Sequence, residues 1–194
     1  MPRQYRGRVA EARTAERRER LVRAGTELAG RHGVAAMTMR AVCREAALSQ
    51  RFFYESFDDT EQLLQAVYLH ALDIVKEEIR ASSPDTLDSR LRVRAGVDAV
   101  AQLSRNDTRL CRILLIEPIA DLRLRRLVRT ALSGLTDSAA ADLPAVKMQY
   151  ATMFGAIISL FIEWTEGNLG DDRCAFVDHV TDLLLTSPLA ANFR

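Results

Sequence analysis

The sequence is poor in cysteine and in long apolar runs, and both scarcities exclude whole classes of protein. Its cysteines Cys43, Cys111 and Cys174 are odd in number and far apart, which disfavours a disulfide framework and favours a reducing compartment. The longest uncharged run, 148–162, is shorter than the roughly 20 residues that span a bilayer. The arginine-rich start lacks the apolar core of a signal peptide. We therefore expect a soluble, cytoplasmic protein.

Catalytic and metal-binding motifs are equally scarce. The three histidines, His32, His70 and His179, are scattered, and no two histidines or cysteines lie at the three- or four-residue spacing of a helical metal site. Neither a phosphate-binding loop nor a nucleophile motif appears. We expect no catalytic residue, no metal and no cofactor, and therefore a protein that is not an enzyme.

Apolar residues recur at helical spacing, whereas β-branched residues almost never alternate with polar ones, so the sequence predicts an all-α protein. A first helix is expected to end at Gly33, and Pro118, Pro144 and the segment 167–170 are expected to separate later helices. About nine helices are predicted, at 14–32, two within 38–57, and at 59–82, 86–104, 108–117, 119–140, 144–166 and 172–187.

Charge is distributed unevenly along the chain. Residues 1–56 hold 12 arginines and 6 glutamates, a net charge of +6, while residues 57–194 carry a net charge of −5, and the whole chain sums to +1. A basic end on an acidic body is typical of a protein that presents one end to a polyanion. A solvated basic helix would produce the same asymmetry, so charge alone does not distinguish it from a polyanion-binding end, and the motifs are needed as well.

Two short helices are predicted within 38–57. Thr38 and Ser49 are each expected to cap a helix, and the small residues between them allow the two helices to cross closely. One face of the first helix is apolar and consists of Met39, Val42, Cys43 and Ala46. This is the pattern of a helix-turn-helix, whose second helix enters the DNA major groove.

From Thr38 to Phe57 the sequence resembles the TetR family of bacterial transcriptional regulators, in its cap, its small-residue turn and its Tyr-x-x-Phe ending. The resemblance covers about 15–70; further on, it lies only in helix number, helix lengths and the ending Trp164-Thr165-Glu166-Gly167. It implies a DNA-binding domain, 1–60, and a helical ligand-binding and dimerisation domain, 61–194. The implied function is a ligand-responsive repressor that binds a palindromic operator as a dimer, with double-stranded DNA, a second copy and a small apolar effector as partners.

Two departures from the family pattern bear on DNA binding. Ala47 replaces the turn glycine, which is tolerable only if the backbone there avoids positive φ. Thr60 replaces the lysine that starts the fourth helix, so a phosphate contact there must be weaker or must come from elsewhere, with Arg40 and Arg44 as candidates.

Roles in DNA binding follow from helix position and from the resemblance. Arg51 and Gln50 start the second helix, where arginine can pair with guanine and glutamine with adenine. Phe52 is expected either to touch a thymine methyl or to pack. The resemblance places Thr38, Arg40, Tyr54 and Ser56 at phosphates. The complete predicted DNA-binding set is Thr38, Arg40, Ser49, Gln50, Arg51, Phe52, Tyr54, Ser56 and Thr60.

Seven arginines within residues 1–20 have two interpretations. They can form an arm that enters a minor groove, or a tail that adds only nonspecific attraction to DNA.

The segment 144–166 carries two apolar stripes, one for its own core and one for a second subunit, although both could be buried within one subunit. The predicted dimer residues are Ala151, Gly155, Ile158, Ile162, Val177, Val180 and Leu184. The resemblance also implies an effector pocket, with Leu72, Val75, Cys111, Leu115, Phe154 and Trp164 as candidates that could equally be plain core. A rival function is a helical interaction module whose basic end binds RNA or an acidic protein partner.

Overall fold

The computed structural model describes residues 3–86, 88–133 and 144–186, and within these ranges the fold is entirely helical, as predicted. A 3₁₀ turn, Val34–Ala36, follows α1, and a π-helical turn, Arg112–Ile116, joins α6 to α7. The α-helices are α1 Arg3–His32, α2 Met39–Glu45, α3 Gln50–Tyr54, α4 Thr60–Ser82, α5 Ser89–Asn106, α6 Thr108–Cys111, α7 Glu117–Ala120, α8 Leu122–Ser133, α9 Pro144–Thr165 and α10 Arg173–Thr186.

Most predicted boundaries agree with these helices, and two do not. Helix α1 begins at Arg3 rather than at Thr14, and it ends before Gly33, which has a φ of +84° as expected of a terminating glycine. The predicted break at Pro118 is wrong, because α6, the π turn and α7 form one continuous helix through it. The break lies at Asp121, whose backbone is extended and whose carboxylate accepts hydrogen bonds from the first N–H groups of α8.

The π turn has a local cause in the proline that follows it. Pro118 has no N–H to donate to the carbonyl of Leu114, and its ring crowds that carbonyl, so the preceding turn widens instead of continuing as regular α-helix. When α6, the π turn and α7 are counted as one, the described residues contain nine helices, the number predicted.

Buried apolar side chains form two cores. The first unites α1–α3 with α4, the π turn and α8, through residues such as Leu21, Phe53, Leu64 and Ile113. The second lies between α5, α9 and α10. In its centre Trp164 is fully buried, stacks on Phe176 at 4.5 Å and donates its indole N–H to the carbonyl of Ala101 at 3.1 Å.

Polar contacts attach the N-terminal helices to the body of the protein. The carboxylate of Glu117 accepts a hydrogen bond from the backbone N–H of Val34 at 2.9 Å and another from the guanidinium of Arg112 at 2.9 Å. Arg112 also donates to the carbonyl of Arg31, one of the last in α1, at 3.4 Å. The end of α1 is therefore held directly by the π turn and α7.

A second contact lies one turn earlier on α1. Arg109 forms an ion pair with Glu27 of α1 and a bidentate pair with Asp107, with both N···O distances at 2.8 Å. These hydrogen bonds lower the pKa of Asp107. Gly30 makes the close approach possible, because a Cβ at that position would lie 2.4 Å from the Cβ of Arg109.

The turn between α2 and α3 corrects the expectation for Ala47. The N–H of Leu48 donates to the carbonyl of Cys43, and the N–H of Ala47 donates to the carbonyl of Arg44, which together form a Schellman motif. This motif requires a left-handed residue after the helix, and Ala47 has a φ of +50°. The backbone does not avoid positive φ, so the alanine is strained in the position where the family pattern has glycine.

We predict that Ala47→Gly raises the free energy of unfolding by about 1 kcal/mol, because glycine adopts the left-handed conformation without the Cβ clash. Urea denaturation followed by far-ultraviolet circular dichroism measures the change. The matched control is Ala46→Gly, one residue earlier in a buried right-handed position, which should lower stability. Equal effects from both substitutions would contradict the assignment of strain to Ala47.

Candidate DNA-binding surface

The two short helices begin where the sequence predicts. The hydroxyl of Thr38 accepts a hydrogen bond from the N–H of Ala41 at 3.2 Å, which confirms it as the cap of α2. Ser49 occupies the cap position of α3 in extended conformation, although its side chain makes no capping hydrogen bond. Phe53 and Phe57 are almost completely buried and fix α3 against the first core.

The opposite face of α3 is open to solvent. Ser49, Gln50 and Arg51 at its start are exposed, and the side chain of Arg51 is 84% accessible. The Nε atom of Arg51 lies 3.0 Å from the carboxylate of Glu55, and an exposed pair of this kind is weak enough to be exchanged for another partner. Tyr54 is also exposed, as a phosphate-binding role requires.

The remaining predicted positions surround this face. Arg40 on α2 is exposed, as the phosphate-binding role requires. Phe52 is half-buried. The guanidinium carbon of Arg17 of α1 lies over the ring of Phe52, 4.6 Å from the ring centre. Ser56 donates its hydroxyl to the carbonyl of Phe52, which leaves its oxygen as an acceptor. Phe52 therefore packs, the second of the two roles considered for it.

The start of α4 is acidic. The carboxylate of Asp59 accepts a hydrogen bond from the N–H of Gln62 at 2.8 Å, and the side chain of Gln62 donates to Asp58 at 2.6 Å. Glu61 adds a third carboxylate beside the half-buried Thr60. A phosphate at this helix start would meet three negative charges, so we expect Thr60 to contribute less than Arg40 or Tyr54.

Three arginines of α1 hold the helix-turn-helix in place: Arg17, which lies over Phe52, together with Arg18 and Arg20. Arg20 donates to the carbonyl of Ala46 at 2.7 Å, where α2 ends, and Arg18 donates to the carbonyl of Ser56 at 2.6 Å, just after α3. Arg18 also lies 4.1 Å from the ring centre of Phe57. Cations at helix C-termini satisfy carbonyls that have no partner within the helix.

These structural roles were not predicted from the sequence, which counted all seven N-terminal arginines together. The available signal was their position: Arg17, Arg18 and Arg20 fall inside the predicted first helix, next to a motif whose two helices both need C-terminal caps. The side chains of residues 3–11 lie outside the described part, so whether Arg3, Arg6 and Arg8 contact DNA stays a prediction.

The predicted pocket residues are distributed over the packing of both cores. Leu72, Val75, Leu115 and Phe154 pack against the first core, and Trp164 fills the second. Cys111 is buried with its thiol 3.9 Å from the carbonyl of Ser104, and burial raises its pKa to about 11, so the thiol stays protonated. Each behaves as core, which was the alternative stated for it.

A cavity of about 490 Å³ lies elsewhere, between α4, α5, α9 and α10. Gly96 of α5 packs closely against Ile79 of α4 at this place, because a Cβ on Gly96 would lie 3.3 Å from the side chain of Ile79. The lining residues are Ile79, Ser83, Arg92, Val93, Gly96, Val97, Val100, Ile157, Phe161, Val180 and Leu184. None of the six predicted pocket residues is among them.

The predicted dimer residues divide into two groups. Ala151 and Gly155 are exposed on α9, and Ile158 and Ile162 beside them are half-buried. The structure contradicts the prediction for Val177 and Val180, which are buried in the second core of their own subunit because this face of α10 packs on α5. Leu184 is half-buried and lines the cavity, and its place in an interface stays a prediction.

The described residues also contain no group of three or more side chains suited to hold a metal ion. No helix in the described ranges is long and apolar enough to cross a membrane.

The family profile described as bacterial regulatory proteins, tetR family, matches residues 21–67, which is the segment that runs from α1 through the helix-turn-helix into α4. This segment is similar to that family of bacterial regulatory proteins, and the exposed face of α3 lies within it. No curated protein sequence matches the chain significantly.

Solved structures of bacterial regulators share the fold over most of the chain. The fatty acid degradation regulator FadR from Bacillus halodurans is 16% identical, with a TM-score of 0.64 over 87% of this chain and 94% of that one. A TetR family transcription regulator from Marinobacter aquaeolei VT8 is 20% identical, with a TM-score of 0.60 over 89% and 97%. FadR from Bacillus subtilis, solved in complex with stearoyl-CoA, is 17% identical, with a TM-score of 0.63 over 87% and 97%.

We predict that Arg20→Ala lowers the free energy of unfolding by about 1–2 kcal/mol, because the carbonyls at the end of α2 lose a charged donor. Urea denaturation gives the value. Arg23→Ala, at an exposed position of the same helix, serves as the control and should change stability by less than about 0.5 kcal/mol. If the two variants unfold at the same urea concentration, the capping role of Arg20 is refuted.

Proposed function

We propose that this chain is a homodimeric repressor of the tetR family that binds a palindromic operator and is released from it by a small apolar effector. Residues 1–60 carry DNA recognition, and residues 61–194 carry dimerisation and effector binding. The observation that supports DNA reading most directly is the exposed start of α3, with Arg51 84% accessible on a helix whose other face is locked by Phe53 and Phe57.

Within this surface the proposed roles differ. Arg51 and Gln50 read base edges, because they stand at the start of the helix that enters the major groove. Arg40, Tyr54 and Thr38 contact phosphates and so set the position of α3 without selecting sequence. Ser49 and Ser56 offer hydroxyl oxygens at the two ends of α3, and Phe52 acts indirectly by holding Arg17.

The proposed dimer interface is the exposed stripe of α9. Met148 is 64% accessible, and a Cβ placed on Gly155 would meet nothing within 4 Å in its own subunit. A second α9 can therefore approach closely at Gly155, with Ile158 and Ile162 adding apolar contact area. Twofold symmetry would place two copies of α3 at half-sites about 34–36 Å apart, or a multiple of that distance.

The proposed effector site is the cavity between α4, α5, α9 and α10. One structure of the same fold contains stearoyl-CoA, which supports an apolar ligand for a regulator of this architecture. The effector acts by population shift: it binds better to a state in which the two α3 helices no longer match the operator spacing. Its effect on DNA affinity cannot exceed its own difference in affinity between the two states.

Selection of bound DNA from a random duplex pool with the full-length protein tests the function. A palindrome with half-sites one or more helical turns apart is expected, since it requires both DNA reading and dimerisation. Recovery of no consensus, together with displacement of duplex DNA by RNA or by an acidic protein at equal salt, would overturn the proposal in favour of the interaction module.

On the selected operator, Arg51→Ala and Arg40→Ala should behave differently. Arg51→Ala is expected to relax base preference at one position per half-site, because the variant loses about 1–3 kcal/mol of discrimination between the correct and the wrong base. Arg40→Ala is expected to weaken all sequences alike and to reduce the slope of log K against log salt by about 1 for each phosphate that it no longer neutralises. Fluorescence anisotropy with matched and mismatched duplexes measures both effects.

The control is Arg80→Ala, an exposed arginine at the far end of α4, which should leave affinity and salt slope unchanged. Binding by Arg51→Ala and Arg40→Ala that matches this control would remove both residues from the DNA-binding surface.

We predict that Gly155→Arg abolishes the dimer without unfolding the subunit, because the added side chain points away from its own core and buries a charge in the proposed interface. Light scattering should give the monomer mass, and operator affinity should fall at least tenfold. Leu169→Arg, at an exposed apolar position in the turn after α9, is the control and should stay dimeric. A dimeric Gly155→Arg protein would exclude this stripe as the interface.

A further inference from the structure

The side chain of Arg51 is paired through one of its three nitrogens and open at the other two. Its Nε atom donates to Oε1 of Glu55, four residues later, at 3.0 Å. Among the described residues, neither Nη atom of Arg51 has a hydrogen-bond partner, and the side chain is 84% accessible. The pair with Glu55 therefore fixes the inner end of the guanidinium and leaves its outer end to a ligand.

A second arginine holds the carboxylate of Glu55. Its other oxygen, Oε2, lies 3.6 Å from Nη2 of Arg17 of α1. The side chain of Arg17 is only 23% accessible, and its guanidinium carbon lies over the ring of Phe52 at 4.6 Å from the ring centre. An isolated exposed ion pair contributes little, whereas a carboxylate shared by two arginines forms a small network with one member held by packing. Glu55 thus connects α1 to the exposed face of α3.

The atom that Glu55 occupies decides which donors of Arg51 remain. A guanidinium carries one N–H on Nε and two on each Nη, in a planar arrangement. With Nε engaged, the remaining fork consists of Nη1 and Nη2, and two parallel donors of this kind match the O6 and N7 acceptors of guanine. A side chain that is oriented before binding also loses less conformational freedom when it binds.

The charge of Glu55 acts in the same direction. A phosphate that approached Arg51 would also approach this carboxylate, and the two like charges repel each other. The acceptors of a guanine base carry no formal charge and meet no such repulsion. Glu55 therefore favours contact of Arg51 with a base over contact with the backbone of any sequence.

We propose that Glu55 is a positioning residue for base recognition: it holds Arg51 through Nε, so that the two Nη atoms read a guanine in the major groove. Glu55 acts through Arg51 and touches no base itself. The inference rests on the proposed function and names the residue on which base reading by Arg51 depends.

The test uses the full-length protein and the operator recovered by selection, with Arg51→Ala locating the base pair that Arg51 reads. Fluorescence anisotropy compares duplexes that carry guanine, adenine or 7-deazaguanine, which lacks the N7 acceptor, at that position. We expect Glu55→Ala to lower the ratio of guanine to adenine affinity about tenfold, because Arg51 loses the contact that orients it. Replacement of guanine by 7-deazaguanine should weaken binding by the wild type and hardly affect Glu55→Ala.

A merely structural role of Glu55 predicts a different result. Loss of structure in α3 would weaken binding to every duplex, whereas removal of a positioning carboxylate should leave affinity for an unrelated sequence unchanged or raise it, since one negative charge is lost. Glu55→Gln retains an oxygen that can accept from Nε, so it should keep most of the preference for guanine. Circular dichroism and thermal unfolding establish that each variant is folded.

The matched control is Glu45→Ala, which removes an exposed carboxylate at the end of α2. It changes the net charge by the same amount and should leave the guanine-to-adenine ratio unchanged. In a background of Arg51→Ala, Glu55→Ala should cause no further loss of base preference, because the residue that it positions is absent.

The proposal is overturned if Glu55→Ala gives the same ratio as Glu45→Ala, if Glu55→Ala binds the operator more tightly with an unchanged ratio, or if the base at the Arg51-dependent position is not guanine. Its failure is distinct from failure of the proposed function. Selection can yield a palindrome that Arg51 reads while Glu55 behaves like the control, whereas recovery of no consensus defeats the proposed function itself.

Discussion

The carboxylate of Glu117 fixes the DNA-binding helices to the body of the protein. It joins the N–H of Val34, two residues after α1, to Arg112 of the π turn, so the orientation of the helix-turn-helix depends on the position of the rod formed by α6, the π turn and α7. Arg109 adds a second tie to the same helix through Glu27, in a contact that only glycine at position 30 permits. Any movement of this rod must move α1 or break these contacts.

The rod also touches the part of the molecule that contains the cavity. Leu115, within the π turn, packs against both cores, and the second core supplies Phe161 and Val180 to the cavity lining. A continuous path of packed residues thus leads from the cavity to the end of α1. Such a path is consistent with energetic coupling between the cavity and α1. Coupling itself would be established by a measured change in operator affinity when the cavity is occupied.

Local signals in the sequence were sufficient for the helix-turn-helix. Thr38 caps α2 as predicted, because a cap depends on the backbone N–H three positions away. Long-range geometry was not accessible in the same way. The sequence indicates that α9 and α10 have apolar faces. Whether Val177 on such a face contacts its own subunit or a second one depends on how α5 crosses α9 and α10, which no local signal specifies. The cavity was missed because it depends on how α4, α5, α9 and α10 cross, which the periodicity of a single helix does not reveal.

The first core joins the N-terminal helices to the rest of the protein. Leu21 and Phe53, on the DNA-binding side of residue 60, share one buried cluster with Leu64, Ile113 and Leu124 on the other side. Cutting the chain at residue 60 would expose the inner faces of α1 and α3 to water. The two short helices therefore depend on α4, the π turn and α8 for part of their burial, and a substitution that disturbs this shared core affects both sides of residue 60.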